Sequence, residues 1–276
     1  MSPSTVEDAP PEPTATTAAE PCSPGAPRLQ ALRVQAAELA PLWDVLERSF
    51  PRMALAALRE RELANEVDER LTRLEIGFNS YGLDRYGISR DRLRLLFTTL
   101  GLAYRYYFRV ECIGAEHIPA RGRAMLIGNH GGGLPIDAPM VLAAAFFALD
   151  PPRLAHAAVE HFVQRKPVLS PLFARMGQFS GVPETSERLL KDERLVLVFP
   201  EGARGSGKLF WDRYQLERFG TGFLRVAMST RSPIVPFAFI GSEEAFPTLL
   251  KLGGLARLLH VPYVPIPAQL LPVPLP

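Results

Sequence analysis

Cysteine is almost absent from this chain, which carries only Cys22 and Cys112. Neither thiol has a metal-ligand companion at the spacing a zinc site needs, and Cys22 sits in a stretch with the composition of an unfolded tail. A disulfide framework and a cysteine-built metal centre are therefore excluded, and a reducing cytosol is the expected compartment. Long apolar runs are missing too. The apolar centre of residues 91–110 and the run 138–149 both fall short of the roughly 20 residues that cross a bilayer. The N-terminus has neither the basic start nor the apolar core of a signal peptide. Charge of one sign is lacking as well: 31 basic against 29 acidic residues leave +2, which removes the electrostatic footprint of a nucleic-acid binder. The absence of a Gly-x-Ser-x-Gly elbow disfavours a serine hydrolase.

What is present suits a sizeable core. The 276 residues are 47% apolar, enough for one domain of about 200 residues with an extension. Residues 1–27, rich in Pro, Ala, Ser and Thr, read as a disordered tail. Residues 28–110 read as a helical N-terminal region. Leu29, Leu32, Ala36 and Leu39, then Leu63, Val67 and Leu71, recur at helical spacing, with Pro51 opening a second helix. Heptads are not sustained, which argues against a coiled coil.

The segment 91–110 is a helix rich in apolar and aromatic residues, with Arg90, Arg92, Arg94, Arg105 and Arg109 towards its ends. Two readings suit it. It is either a core helix or an interfacial helix that lays Leu96, Leu100, Tyr104 and Phe108 on a membrane with its arginines at head-group level.

From residue 111 onward, apolar runs of strand length at 124–127, 155–159, 195–199 and 234–240 alternate with helical patterns at 138–149, 170–176, 184–191 and 214–230. This alternation predicts an α/β fold, a central mixed sheet covered by helices, with an N-terminal helical extension. Pro236 points to an edge or irregular position for the last strand. Six prolines in 261–276 exclude a regular helix there.

Two polar clusters follow two of the strand runs. Gly128-Asn129-His130-Gly131-Gly132-Gly133-Leu134-Pro135-Ile136-Asp137 follows one, and Phe199-Pro200-Glu201-Gly202-Ala203-Arg204 follows another. Strand ends are where α/β sheets hold ligands, so both are candidate site segments. His130 suits a general base, because a hydroxyl attacks an acyl carbon usefully only if an imidazole takes its proton as the bond forms. Asp137 is the nearest carboxylate that a tight turn can return to the ring, where it would fix the tautomer and stabilise the imidazolium. The three glycines permit that turn, and their N–H groups offer an anion or oxyanion site. Pro135 suits the first turn of a helix carrying Asp137 and Met140. Taken alone, a His near a carboxylate is more often a surface or capping pair than a dyad.

Taken in order, Asn129-His130 with Asp137, then 199–204, then Pro233-Ile234-Val235-Pro236, make residues 104–247 resemble the glycerolipid acyltransferases of the PlsC-like superfamily. A subset of bacterial members is similar also around Asp212-Arg213-Tyr214 and Gly241-Ser242-Glu243-Glu244. Three departures stand out. Six residues rather than four separate His130 from Asp137, Ala203 replaces the usual Thr or Val, and Gly177-Gln178-Phe179-Ser180-Gly181-Val182 lacks the Arg found there in many relatives.

The resemblance implies an α/β acyltransferase domain over 111–276, with a further family strand beyond it that would make this chain truncated. It implies an O-acyltransferase moving a fatty acyl group from acyl-CoA or acyl carrier protein to a glycerolipid hydroxyl, that of lysophosphatidic acid or a related lysophospholipid. His130 and Asp137 would be catalytic; Asn129, Glu201, Gly202, Arg204 and Lys208 would bind substrate. Arg204 would fork onto the acceptor phosphate, and Glu201 would hold Arg204 or an acceptor hydroxyl. Lys208 would either join the anion site or stand as a solvated surface side chain. No metal or redox cofactor is implied. The enzyme would sit at the cytoplasmic face of the membrane, peripheral or monotopic, with 261–276 as a packed arm or a membrane-dipping, channel-lining segment. A neutral-lipid acyltransferase and a non-catalytic lipid-binding protein of the same fold are the alternatives.

Overall fold

The computed structural model describes residues 60–160, 163 and 165–270. The expected tail, the expected helices before residue 60 with their start at Pro51, and residues 271–276 lie outside that range.

Five strands form one sheet. β1 (Ala124–Gly128), β2 (Ala155–Val159), β3 (Phe179–Ser180), β4 (Leu195–Val198) and β5 (Ile234–Phe237) lie in the order β3-β2-β4-β1-β5, and each pairing is parallel. Antiparallel pairing among the described residues occurs in a separate ribbon of β6 (Thr248–Lys251) and β7 (Pro265–Pro267) and in one isolated bridge of Leu83 with Ser89. β1 is buried along its whole length, the pattern of a strand covered on both faces. On one face Ala124, Leu126, Ala155, Ala157, Leu195 and Leu197 pack with Leu142 and Ala145 of α3 (Asp137–Phe147). On the other, Met125, Ile127 and Val196 meet Leu189 and Leu190 of α5 (Pro183–Lys191) and Val226 and Ala227 of α7 (Gly222–Thr230). Each such fully buried Leu or Ile contributes about 1.5–3 kcal/mol.

The order of the strands decides where a site can form. After β1 the chain crosses to β2, and β4 then returns between them, so the carboxyl ends of β1 and β4 stand side by side with Ile127 opposite Val198. After β4 the chain moves to the far side of β1, where β5 is the edge strand expected from Pro236. The two polar clusters thus leave adjacent strands at one edge, beside the point where the winding reverses.

The N-terminal part of the described chain packs on the core. α1 (Glu60–Thr72) buries Leu63, Val67 and Leu71. α2 (Arg90–Leu102), continued by a π-helical turn over Ala103–Tyr107, buries Leu93, Phe97, Leu102 and Tyr104. Phe97 stacks on Phe146 at 3.7 Å, and Leu100 packs against the sheet cluster. The membrane candidates Leu100 and Tyr104 are therefore engaged inside the fold, Leu96 is half-buried, and Phe108 rests edge-on against Phe246. Two arginines expected at head groups bind carboxylates of α1 instead: Arg105 takes both oxygens of Glu66 at 2.6 and 2.7 Å, and Arg94 takes Asp68 at 2.7 Å. One face of the helix thus packs inside the fold.

Two expected elements are shorter than their patterns. Of the helix expected over 214–230 only α7 forms, because the backbone before it is claimed elsewhere. Gln215 C=O accepts from Lys208 Nζ, Glu217 N–H donates to Glu201, and Arg218 C=O accepts from Arg204. The strand expected over 234–240 ends at Phe237 because the Asn129 side chain takes both backbone groups of Phe239. Of the proline-rich stretch, the described residues 261–270 run as an arm that forms β7 and a 3-10 turn over Ala268–Leu270. No helix among the described residues is long and apolar enough to cross a membrane.

Candidate active site

The site begins where β1 ends. Asn129 holds Phe239 through two bonds, Nδ2 to its carbonyl at 2.8 Å and its N–H to Oδ1 at 2.7 Å. Its amide thereby joins the end of β1 to the backbone just after β5. His130 follows. Its ring lies over Phe199 at 4.4 Å between centroids and 18° between planes, so the residue after β4 is a floor for the imidazole of the β1 loop.

The longer loop still closes on the ring. His130 Nδ1 lies 2.5 Å from Asp137 Oδ2, which also accepts the Gly131 N–H at 2.7 Å, while Oδ1 accepts the Ala138 N–H at 2.8 Å. The carboxylate is fully buried at the first residue of α3, not one turn into a helix begun by Pro135. All three partners are placed to donate, as an acceptor-only carboxylate requires. With Nδ1–H given to Asp137, Nε2 carries the lone pair, and it makes no hydrogen bond among the described residues.

Sterics explain the three glycines. A Cβ on Gly131 would lie 1.5 Å from Ser242 Oγ, one on Gly132 would lie 2.7 Å from the Lys208 carbonyl, and one on Gly133 would lie 2.4 Å from Thr248 Oγ1. Gly133 also has φ +92°, which a side chain rarely tolerates. The loop is thus wedged among three later segments. It is a poor amide nest, since the Gly131 N–H serves Asp137 and the Gly133 N–H donates to Ser206 C=O at 2.8 Å.

Glu201 does something other than the expected grip on Arg204. Its side chain is fully buried, accepts the His130 N–H and the Glu217 N–H at 2.9 Å each, and lies 3.3 Å from Lys208 Nζ. Lys208 is likewise no solvated surface side chain. It is buried, donates to Gln215 C=O at 2.9 Å, and stands 3.9 Å from Glu243, which accepts from Ser242 Oγ at 3.1 Å. Burying these charges is tolerable only because each is paired. Gly202, with φ +57°, turns the chain into the short helix α6 (Ala203–Ser206), whose Gly205 packs so closely that a Cβ would lie 2.8 Å from that of His130. Arg204 on this helix is exposed and spends one N–H on Arg218 C=O at 3.0 Å.

Sequence reasoning passed over Ser242, Glu243 and Tyr263. Glu243 follows β5 with only the Gly-Ser-Glu-Glu run as a signal, and nothing local marks it as buried. Tyr263 reaches back from the arm before β7 to donate to Gly133 C=O at 3.2 Å, and burial pushes its phenol above the usual range. A cavity of about 140 Å³ lies beside this cluster, lined by Asn129, Lys208, Gln215, Phe239 and Glu243 among others. Another, of about 200 Å³, lies under β2 and β3 around His156, and neither cavity has His130 or Asp137 in its wall. No group of three or more His, Cys, Asp or Glu that could hold a metal ion occurs among the described residues.

Residues 109–240 match the family model described as Acyltransferase. An uncharacterized protein of Mycobacterium leprae (strain TN) is 36% identical over 243 residues, covering 84% of this chain and 64% of its own length. Uncharacterized proteins of Mycobacterium bovis and of Mycobacterium tuberculosis (strain H37Rv) are each 36% identical over 204 residues, covering 70% of this chain and 57% of theirs. The chain therefore spans less than two thirds of the length of these relatives. No solved structure matches it.

Proposed function

We propose that this protein transfers a fatty acyl group from a thioester, acyl-CoA or acyl carrier protein, to the hydroxyl of a glycerolipid, with lysophosphatidic acid or a related lysophospholipid as acceptor. The single observation that carries this reading is the buried Asp137 carboxylate on His130 Nδ1, which leaves Nε2 without a partner among the described residues at the carboxyl edge of the sheet. In this reading Nε2 takes the acceptor proton as the hydroxyl oxygen bonds to the thioester carbon. Asp137 stabilises the imidazolium so formed. The tetrahedral intermediate then expels the thiolate, which recovers the proton from Nε2, so ester and free thiol leave together.

Glu201 acts here as a positioning group, holding the His130 backbone in place. Arg204, exposed one short helix away with further N–H groups unspent, suits an anionic head group. Proton transfer and carbonyl polarisation suffice for this reaction, so the only cofactor proposed is the donor itself. The acceptor places the enzyme at the cytoplasmic face of a membrane, as a peripheral or monotopic protein.

Incubation with labelled acyl-CoA and a panel of lysophospholipids, glycerol phosphate, monoacylglycerol and diacylglycerol tests the proposal. Labelled phospholipid product is expected, and its loss in His130→Ala. Product from neutral acceptors alone would reassign the acceptor, and binding without turnover would leave a lipid carrier.

A further inference from the structure

The described surface has one element whose amphipathicity is inverted. In α9 (Gly253–Leu259), between β6 and β7, Leu255, Leu258 and Leu259 lie at i, i+3 and i+4, which places them on one face. That face is turned to solvent: Leu258 is 74% exposed, and only Ala256 of this helix is buried. Leu250 and Leu252 are exposed just before it. Lys166 Nζ donates to Leu259 C=O at 2.7 Å, which brings exposed Val168 and Leu169 to the end of the helix. A soluble domain gains nothing from a contiguous leucine face in water.

The charges carried by the segments that form this face share one sign, while Asp212 of the turn Phe210–Asp212 beside β6 and Glu160 near Tyr263 are the acidic neighbours. Arg165, Arg175, Lys251 and Arg257 are exposed, and neither residues 165–183 nor residues 245–270 contain any of the chain's 29 acidic residues. Exposed leucines fringed by cations match a layer with an apolar interior and an anionic surface. A second copy of the chain is a poor match, because a two-fold contact would set the basic fringe against itself. The arm is also tied to the dyad loop, through Tyr263 on Gly133 and the contact of Thr248 with the same glycine.

We propose that the arm formed by β6, α9 and β7, with Val168 and Leu169 beside it, is a docking surface for a bilayer containing anionic lipid. The inference rests on the acyltransferase reading for its purpose, since seating this arm on lipid would present the dyad loop to a membrane-borne acceptor. Its physical basis is independent of that reading.

The test is vesicle flotation of the wild type, of Leu255→Glu/Leu258→Glu and of Lys251→Glu/Arg257→Glu. Vesicles are phosphatidylcholine alone or with one third phosphatidylserine. The wild type is expected to float with the anionic vesicles. The leucine variant should lose flotation on both kinds, and the charge variant should lose about thirtyfold or more on anionic vesicles only, each with an unchanged thermal midpoint. Flotation of both folded variants at the wild-type level overturns the docking surface while leaving membrane binding through another face. A wild type that does not float overturns it too, and light scattering that shows a dimer lost in the leucine variant hands the face to a second copy. Acyl transfer in detergent micelles reads the catalytic proposal separately. The leucine variant should match the wild type there, whereas a wild type that floats but transfers nothing sinks the catalytic proposal and keeps the surface.

Discussion

The backbone N–H of His130 donates to the Glu201 carboxylate at 2.9 Å, across 71 positions of sequence. The two polar clusters are therefore one unit: the block after β4 holds the main chain of the residue after β1, and α3 orients the ring of the same residue. Glu201 is held in turn by Lys208, and Lys208 stands beside Glu243.

His130→Ala should fold and lose roughly 100-fold or more in acyl transfer, the scale of a lost general base. Asp137→Asn should lose turnover as well, since an amide no longer stabilises the imidazolium. It should also unfold at lower denaturant concentration, because its NH₂ would face the N–H of Gly131 or Ala138. Single-turnover rates with circular dichroism check both; a folded His130→Ala protein of near-normal rate would end the general-base reading.

Lys208→Met should lower stability by about 3–5 kcal/mol, the cost of leaving a buried carboxylate unpaired. Adding Glu201→Gln to it should recover part of that loss, since the amide needs no countercharge. Urea unfolding of the two variants measures this, and additive losses would show that Lys208 and Glu201 are energetically independent.

Arg204→Ala is expected to leave stability within about 0.5 kcal/mol, because the side chain is exposed. With a phosphorylated acceptor it should lower kcat/KM by about 1.5–3 kcal/mol, one charge-assisted bond, with little change in donor affinity. With diacylglycerol it should be nearly silent. An equal loss on both acceptors would make the Arg204 to Arg218 bond a structural tie.

His156 is buried in β2 and gives Nδ1–H to Gly177 C=O at 2.8 Å. Burial, helped by Arg194 and Arg153, lowers its pKa from 6.5 to about 4 against the opposing Gly177 bond. Between those values the unfolded chain binds the extra proton, so this contribution is whole above about pH 6.5 and is lost as pH falls toward 4. The amount is up to about 3 kcal/mol. Denaturant midpoints over that range should slope more steeply for the wild type than for His156→Leu; parallel slopes would mean that His156 titrates normally in the fold.

The α/β class, the strand runs and the two polar clusters were legible in the sequence because each is a local pattern. A buried parallel strand is an unbroken apolar run, a Gly-rich turn is a composition, and the spacing of His130 and Asp137 is short enough for one loop. The roles of the charged residues were not legible in the same way. Glu201 and Lys208 have the same side chains whether they face solvent or the interior, and only the return of residues 215–218 and 243 over the strand ends buries and pairs them. The helix 91–110 was open between core and membrane because apolar residues suit both, and its contacts with Glu66, Asp68 and Phe146 are ones that no local pattern shows. The leucines of α9 carry the opposite lesson. Their helical spacing alone would place them inside, and only the packing of β6 and β7 against the dyad loop leaves them facing out.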